Sequence, residues 1–284
     1  MTDWIAADWG TSNLRLWGMT GGEVSWRATS ERGMATLDPS EFERALEETI
    51  ADRAGPDVPV VACGMVGARQ GWAEARYASV PARPLGASFT RAPGRREVRI
   101  VPGLSQADPP DVMRGEETQV AGLLSISDFD GVACLPGTHT KWVQVSAGEI
   151  VSFRTAMTGE LFALLSERSV LRHSVEGAMD EEAFDAAVSD AISRPERIAA
   201  DLFGIRAAHL LDGVHGPARL SGLLVGAELA AMRPYWLGQE IRVCGAPRLA
   251  ALYARALDAQ GAPSTIHDVE AATLAGLAAA RETT

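Results

Sequence analysis

No stretch of the sequence reaches the roughly 18 to 20 consecutive apolar residues that a membrane-crossing helix requires, so no membrane partner is expected. The N-terminus carries Asp3 and lacks the basic region and apolar core of a secretory signal, which points to a cytoplasmic protein. Cysteine is scarce: Cys63, Cys134 and Cys244 are odd in number and far apart, and each stands at the end of an apolar run. Buried thiols are expected, not a disulfide framework. The five histidines are scattered without metal-ligand spacing. Positive charge is also in short supply, with 26 Lys and Arg against 37 Asp and Glu and a net charge of -11. A phosphate-backbone partner needs a basic face, so nucleic acid is not expected. The local cluster Arg91, Arg95, Arg96 and Arg99 reads as a solvated loop. No G-x-x-x-x-G-K-[ST] phosphate loop occurs.

The 284 residues are enough for two lobes, each with a core. Short apolar segments at Trp4–Ala7, Leu14–Met19 and Glu23–Thr29 read as strands, with Thr20-Gly21-Gly22 as a hairpin turn. Asp38-Pro39 is expected to open a helix running to about Ala54, capped by Asp38. Val58–Cys63 returns as a strand, and the Pro-, Gly- and Arg-rich region 80–110 offers one more at Val98–Val101. Helix is expected over Glu116–Ser125, then strands at Val132–Leu135, Lys141–Val145 and Ile150–Phe153. The periodicity is helical from Gly159 to Met232, broken at Arg194-Pro195 and at Gly213 to Pro217. Strand Ile241–Cys244, helix Leu249–Gln260, a strand near Thr265 and helix Glu270–Arg281 close the chain. Strands and helices alternate in two groups, which favours an α/β fold.

Four segments carry chemistry. The first strand breaks into Asp8-Trp9-Gly10-Thr11-Ser12-Asn13 before Leu14-Arg15 resumes. Such a turn either satisfies its own backbone groups or offers N–H and hydroxyl donors to phosphate oxygens, with Asp8 placed to hold Mg²⁺ through water. A second turn of the same style is Leu135-Pro136-Gly137-Thr138-His139-Thr140-Lys141. Two such turns, one per lobe, suit a nucleotide whose phosphates need a cradle from each side. Between them Gly115-Glu116-Glu117-Thr118 opens a helix; the acids either complement its dipole or supply a general base. Finally, Val243-Cys244-Gly245-Ala246-Pro247-Arg248 is either a plain strand-to-helix connection or a turn that lets a flat ring approach the backbone.

In combination, ADWGTSNLR (7 to 15), ACGMVGARQGW (62 to 72), DVMRGEETQ (111 to 119), LPGTHTKWV (135 to 143), MTGELFALL (157 to 165) and SGLLVGAEL (221 to 229) resemble the 2-dehydro-3-deoxygalactonokinases. These are sugar-acid kinases of the sugar kinase, hexokinase and actin-like ATPase superfamily. The resemblance covers most of the chain. It implies a two-lobed actin-like ATPase, ribonuclease H-like fold with an ATP cleft between lobes. The expected division is 1–113 with the C-terminal helix 269–284 packed back on it, and 114–268. Asp8, Gly10, Thr11 and Asn13 match the superfamily's first phosphate motif, and Gly137, Thr138 and Thr140 the second; Gly245 to Leu249 falls where the adenosine motif is expected. Gly64, Gly67 and Ala272 to Ala279 resemble the two connecting segments of a hinge. Gly115-Glu116-Glu117-Thr118 resembles the glycine-aspartate-glutamine-glutamine segment of related kinases, with glutamate where those carry the catalytic aspartate. Glu116 is the expected base, and Glu117 stays open as the alternative.

The implied reaction uses ATP and Mg²⁺ to phosphorylate the C6 hydroxyl of 2-dehydro-3-deoxy-D-galactonate. Asp8, Gly10, Thr11, Ser12, Gly137, Thr138, Thr140, Lys141, Gly245, Ala246 and Pro247 would hold nucleotide and metal. The candidates for the substrate's carboxylate are Arg15, Arg69 and Arg154. Asn13, Gln70 and His139 are candidate contacts to the rest of the substrate; Trp72 is either another or a packing residue. Lys141, Arg15 or Mg²⁺ would neutralise developing charge. A homo-oligomer remains an option. The alternatives are a kinase for another 2-keto-3-deoxy sugar acid such as the gluconate epimer, an exopolyphosphatase-like phosphohydrolase of the same superfamily, and a sugar-sensing regulator, which would need a DNA-binding module that the few residues before Asp8 do not supply.

Overall fold

A computed structural model describes residues 1–214 and 216–283. The chain runs β1 (Trp4–Trp9), β2 (Leu14–Thr20), β3 (Glu23–Ser30), α1 (Phe42–Ile50), β4 (Val60–Gly64), β5 (Ala78–Ser79), β6 (Thr90–Arg91), β7 (Val98–Ile100), β8 (Leu104–Gln106), β9 (Asp111–Met113) and α2 (Glu116–Ile126). It continues with β10 (Gly131–Leu135), β11 (Thr140–Ser146), β12 (Glu149–Ala156), α3 (Thr158–Arg168), α4 (Glu181–Ser193), α5 (Ile198–Asp212), α6 (Pro217–Ala231), α7 (Arg233–Trp236), β13 (Ile241–Gly245), α8 (Pro247–Asp258), β14 (Ser264–Asp268) and α9 (Val269–Glu282). No helix among the described residues is long and apolar enough to cross a membrane.

Two compact units emerge. The first comprises residues 1–130, 145–152 and the chain from Val269; the second comprises 131–144 and 153–268. This differs from the expected boundary after residue 113, because α2 belongs to the first unit. The reason is a close helix pair: a Cβ at Gly122 would collide with the carbonyl of Ala272, and one at Gly276 with the carbonyl of Thr118. Only glycine lets α2 and α9 come that near.

The first unit holds a sheet ordered β3-β2-β1-β4-β7-β6, and β12-β11-β10-β13-β14 form a second sheet. In both, the leading strand is flanked by its two successors on one side and by later strands on the other. The turn after β1 and the turn after β10 therefore occupy equivalent positions. β1, β4 and β7 pair in parallel, as do β10, β13 and β14. The central strands β4, β10 and β13 are buried along their whole length, which their continuous apolar runs dictate. Cys63, Cys134 and Cys244 are buried in them as free thiols.

Three local readings change. Helix α1 begins at Phe42, not at Pro39, because Glu41 N–H donates to the Asp38 carbonyl and closes residues 38–41 as a turn. Region 80–110 carries β6 and β8 besides β7, too short to show a period. Arg96 is not solvated: it is 3% exposed, forks onto both carboxylate oxygens of Glu47 at 2.6 and 2.8 Å, and donates to the carbonyls of Gly55 and Val58.

Candidate active site

In the first unit the turn after β1 is fastened from behind. Gly33, Met34 and Ala35 donate their N–H groups to the carbonyls of Ser12, Gly10 and Thr11, and a Cβ at Gly33 would collide with the turn. The carbonyls are thereby occupied on the inner side. The exposed residues Thr11 and Ser12 keep their own N–H groups without an acceptor among the described residues, which is the arrangement an anion needs. Asp8, the penultimate residue of β1, is half-buried and faces Arg15 across the β1–β2 pair at 3.7 Å. Burial raises its pKa; Arg15 opposes the rise and the charge of Glu116 adds to it. Gly64, at the end of the neighbouring β4, has φ +89°, and a Cβ there would meet Trp9 O at 2.7 Å and Asp8 Oδ1 at 3.4 Å. Glycine keeps that flank of Asp8 open.

Glu116 and Glu117 start α2 behind Gly115, whose φ of +110° is glycine territory. The two acids are unlike. Glu116 is half-buried and accepts from the Arg114 backbone N–H at 3.0 Å. Glu117 is sealed at 0% exposure and accepts from Gly115 N–H at 2.7 Å and from the Thr118 hydroxyl at 3.0 Å. Burial, reinforced by the charge of Glu116, pushes the Glu117 pKa up to about 8 against the pull of those hydrogen bonds. Glu116 is the reachable member of the pair; Glu117 is the sealed one and holds its proton at neutral pH.

Not every expected substrate residue has a free side chain. Trp72 is 6% exposed and its ring lies 6.1 Å from Trp9 and 6.2 Å from Phe42, so it is core packing and not a hydroxyl contact. Arg69 and Gln70 are exposed beside it. Sequence reading passed over Arg114, which is 9% exposed. Its Nη2 donates to the Ala75 carbonyl at 2.8 Å and its guanidinium lies 4.3 Å from the centre of the Tyr77 ring, while Nε and Nη1 have no acceptor among the described residues. A buried cation so incompletely bonded calls for an explanation. Its place immediately before Gly115-Glu116 was the available signal.

In the second unit the turn after β10 is shaped by the segment Met157–Glu160. Glu160 N–H donates to the Thr138 carbonyl at 2.9 Å, and the Glu160 carboxylate meets His139 Nε2 at 2.6 Å. His139 is therefore engaged as an anchor of the turn. A Cβ at Gly159 would collide with the Gly137 carbonyl. Thr140, fully buried, shares a hydrogen bond of 3.0 Å with Tyr253 Oη. Tyr253 donates to Glu228 Oε2 at 2.7 Å, Trp142 Nε1 donates to Oε1 at 2.7 Å, and Thr158 Oγ1 completes the set. Burial raises the Glu228 pKa and these three donors oppose the rise. The network locks β11, α3, α6 and α8 around the turn. Lys141, 5% exposed, donates from Nζ to the His139 carbonyl at 3.2 Å; it is the single lysine of the chain. Gly245 ends β13 where a Cβ would meet Pro136 O at 3.0 Å, so the strand end and the turn are in contact. Ala246 and Pro247 lead exposed into α8, and Arg154 is half-buried on β12. Among the described residues, no group of three His, Cys, Asp or Glu could hold a metal ion.

A family model described as 2-keto-3-deoxy-galactonokinase matches residues 8–280. A probable 2-dehydro-3-deoxygalactonokinase of Rhizobium meliloti is 39% identical over 294 residues, 98% of this chain and 96% of that protein. The 2-dehydro-3-deoxygalactonokinase of Escherichia coli is 38% identical over 288 residues, 96% of each. A crystal structure of a putative 2-dehydro-3-deoxygalactonokinase from Sinorhizobium meliloti superposes with a TM-score of 0.92 at 37% identity, covering 99% of this chain and 96% of that one. The shared architecture is the actin-like ATPase fold of sugar kinases.

Proposed function

The chain belongs to the 2-keto-3-deoxy-galactonokinase family, and we propose that it transfers the γ-phosphoryl group of ATP to the C6 hydroxyl of 2-dehydro-3-deoxy-D-galactonate in the cytoplasm. It is an ATP-dependent sugar-acid kinase. The observation that carries the mechanism is the contrast between the reachable Glu116 and the sealed, proton-holding Glu117 beside Asp8.

Glu116 accepts the hydroxyl proton as the sugar oxygen attacks phosphorus. Its backbone-donated hydrogen bond from Arg114 holds the carboxylate in place. Glu117 does not exchange protons with substrate; it fixes Gly115 and the first turn of α2, and so acts as a positioning residue. The donors of Thr11 and Ser12 take phosphate oxygens at the first turn. Gly137, Thr138 and Thr140 do so at the second, Thr140 through the backbone because its hydroxyl is committed to Tyr253. Lys141 braces that turn and brings positive charge to it. Most of the acceleration in phosphoryl transfer comes from such positioning and charge stabilisation.

Asp8 fits Mg²⁺. That ion takes one or two carboxylates and keeps water and phosphate for its other positions, so a three-ligand protein cage is not required. The Asp8 carboxylate, held back from ionising by burial and by Glu116, gains from a divalent cation. Bound Mg²⁺ supplies charge neutralisation on the phosphates. For the substrate's carboxylate, Arg69 and Arg154 stay candidates and Arg114 joins them, while Arg15 already faces Asp8.

The test is coupled ADP release with 2-dehydro-3-deoxy-D-galactonate, its gluconate epimer, simple hexoses and no acceptor. The galactonate derivative should give the highest kcat/KM. Hexose-dependent release without response to either acid would overturn the substrate, and acceptor-independent release would favour a phosphohydrolase.

A further inference from the structure

Of the fourteen large apolar side chains that stand exposed among the described residues, eight fall between Met157 and Val214. They fall in one stretch of the chain, and three of them, Phe203, Leu210 and Leu211, stand on helix α5. Its inner face, Ile198, Leu202 and Ile205, recurs at i, i+4, i+7 and packs into a cluster with Leu171, Leu220 and Leu223. The opposite face repeats the pattern with Phe203, Ala207, Leu210 and Leu211, and Phe203, Leu210 and Leu211 are 63%, 64% and 81% exposed. A helix apolar on both faces is a buried helix, yet this chain covers only one of them.

We infer that the outer face of α5 is the interface through which two copies of this chain associate about a two-fold axis. Three observations select a second copy. Gly204 lies in mid-helix without a positive φ, and a Cβ there would meet nothing within 4 Å. It forfeits helix propensity with no reason inside the chain, whereas a second helix could come close over it. Pairing α5 with itself antiparallel about Ala207 sets Gly204 opposite Leu210 of the second copy, and Phe203 opposite Leu211. The bulky residues then fill the gap that the glycine leaves, on both sides at once, as an isologous contact requires. The area also fits. At about 100 Å² per large apolar side chain, Phe203, Leu210 and Leu211, with Val170 on the turn that packs against α5, offer about 400 Å². That is about the apolar share, ~57%, of the ~800 Å² each partner brings to a standard interface. The charge argues against a lipid surface instead: interfacial helices carry Lys and Arg on the polar face, whereas α5 has a single arginine, Arg206, in a chain of net charge -11.

The test is sedimentation equilibrium of the full chain across a concentration series, with circular dichroism melts. Wild type should sediment at about twice 30.1 kDa. Leu211→Glu should raise the dimer Kd at least about tenfold without changing the spectrum. Gly204→Leu should weaken the dimer similarly while leaving the melting temperature of dilute, monomeric protein the same or higher, because its side chain enters open space. A wild type that is monomeric up to on the order of 100 μM, well above the Kd of a stable interface, would overturn the inference. So would variants that dimerise as tightly as wild type, or a monomer that pellets with anionic phosphatidylglycerol vesicles.

Discussion

Glu116→Gln is expected to lower kcat by about 10² to 10⁴-fold, the range over which a positioned base contributes, with KM for ATP little changed. The amide keeps the shape and can still meet the Arg114 N–H, but it cannot take a proton. Glu117→Gln should behave differently. With a pKa of about 8, Glu117 is mostly protonated at neutral pH, so the substitution should retain much of the rate below pH 7. Its signature is in stability. A carboxyl raised above its ordinary 4.5 holds a proton in the folded chain that the unfolded chain releases. Its contribution is fully present below pH 4.5 and is lost as pH rises through about 8. Asp8 and Glu228, also raised by burial, add slope of the same sign. Melting temperatures should fall across that window in wild type and fall less steeply in Glu117→Gln. A full rate in Glu116→Gln together with its loss in Glu117→Gln would reverse the two roles.

Gly159→Ala should cost about 100-fold in kcat/KM for ATP, the order expected when a binding group moves by about 1 Å. The new methyl would collide with the Gly137 carbonyl. Either the turn shifts or α3 does, and both are tied to Thr138 and His139 through Glu160. Strand β10 beneath, buried along its length, has no reason to move, so the melting temperature should change far less than the kinetics. An unchanged kcat/KM for ATP would show that the second turn does not hold the phosphates.

The sequence revealed the parallel strands of the two large sheets, because buried parallel strands are continuous apolar runs, and the two glycine-hydroxyl turns, because they interrupt those runs; the two- and three-residue strands β5, β6, β8 and β9 were too short to show. It also revealed the glutamate pair at the head of α2. What it could not convey was which glutamate is reachable. That depends on β4, distant in sequence, lying against the head of α2: a Cβ at Gly115 would stand 3.3 Å from Gly64 Cα, and the buried Cys63 thiol feels the charge of Glu117. Trp72, beside Arg69 and Gln70, read as either a substrate contact or a packing residue, and its ring completes a core with Trp9 and Phe42. A single residue carries no periodicity to distinguish the two. The unit boundary was displaced for a similar reason: Gly122 and Gly276 look like ordinary helix residues until their helices are seen in contact. Lys141 was legible from its place in the second turn, and its being the only lysine of the chain adds to that signal.

The most direct measurement of the central claim is ³¹P NMR of the product from ATP, Mg²⁺ and 2-dehydro-3-deoxy-D-galactonate. A new phosphomonoester resonance coupled to the two C6 protons is expected, growing in step with ADP and about 10² to 10⁴-fold more slowly when Glu116→Gln replaces wild type. Inorganic phosphate growing in without an ester, or an ester coupled to a different carbon, would contradict it.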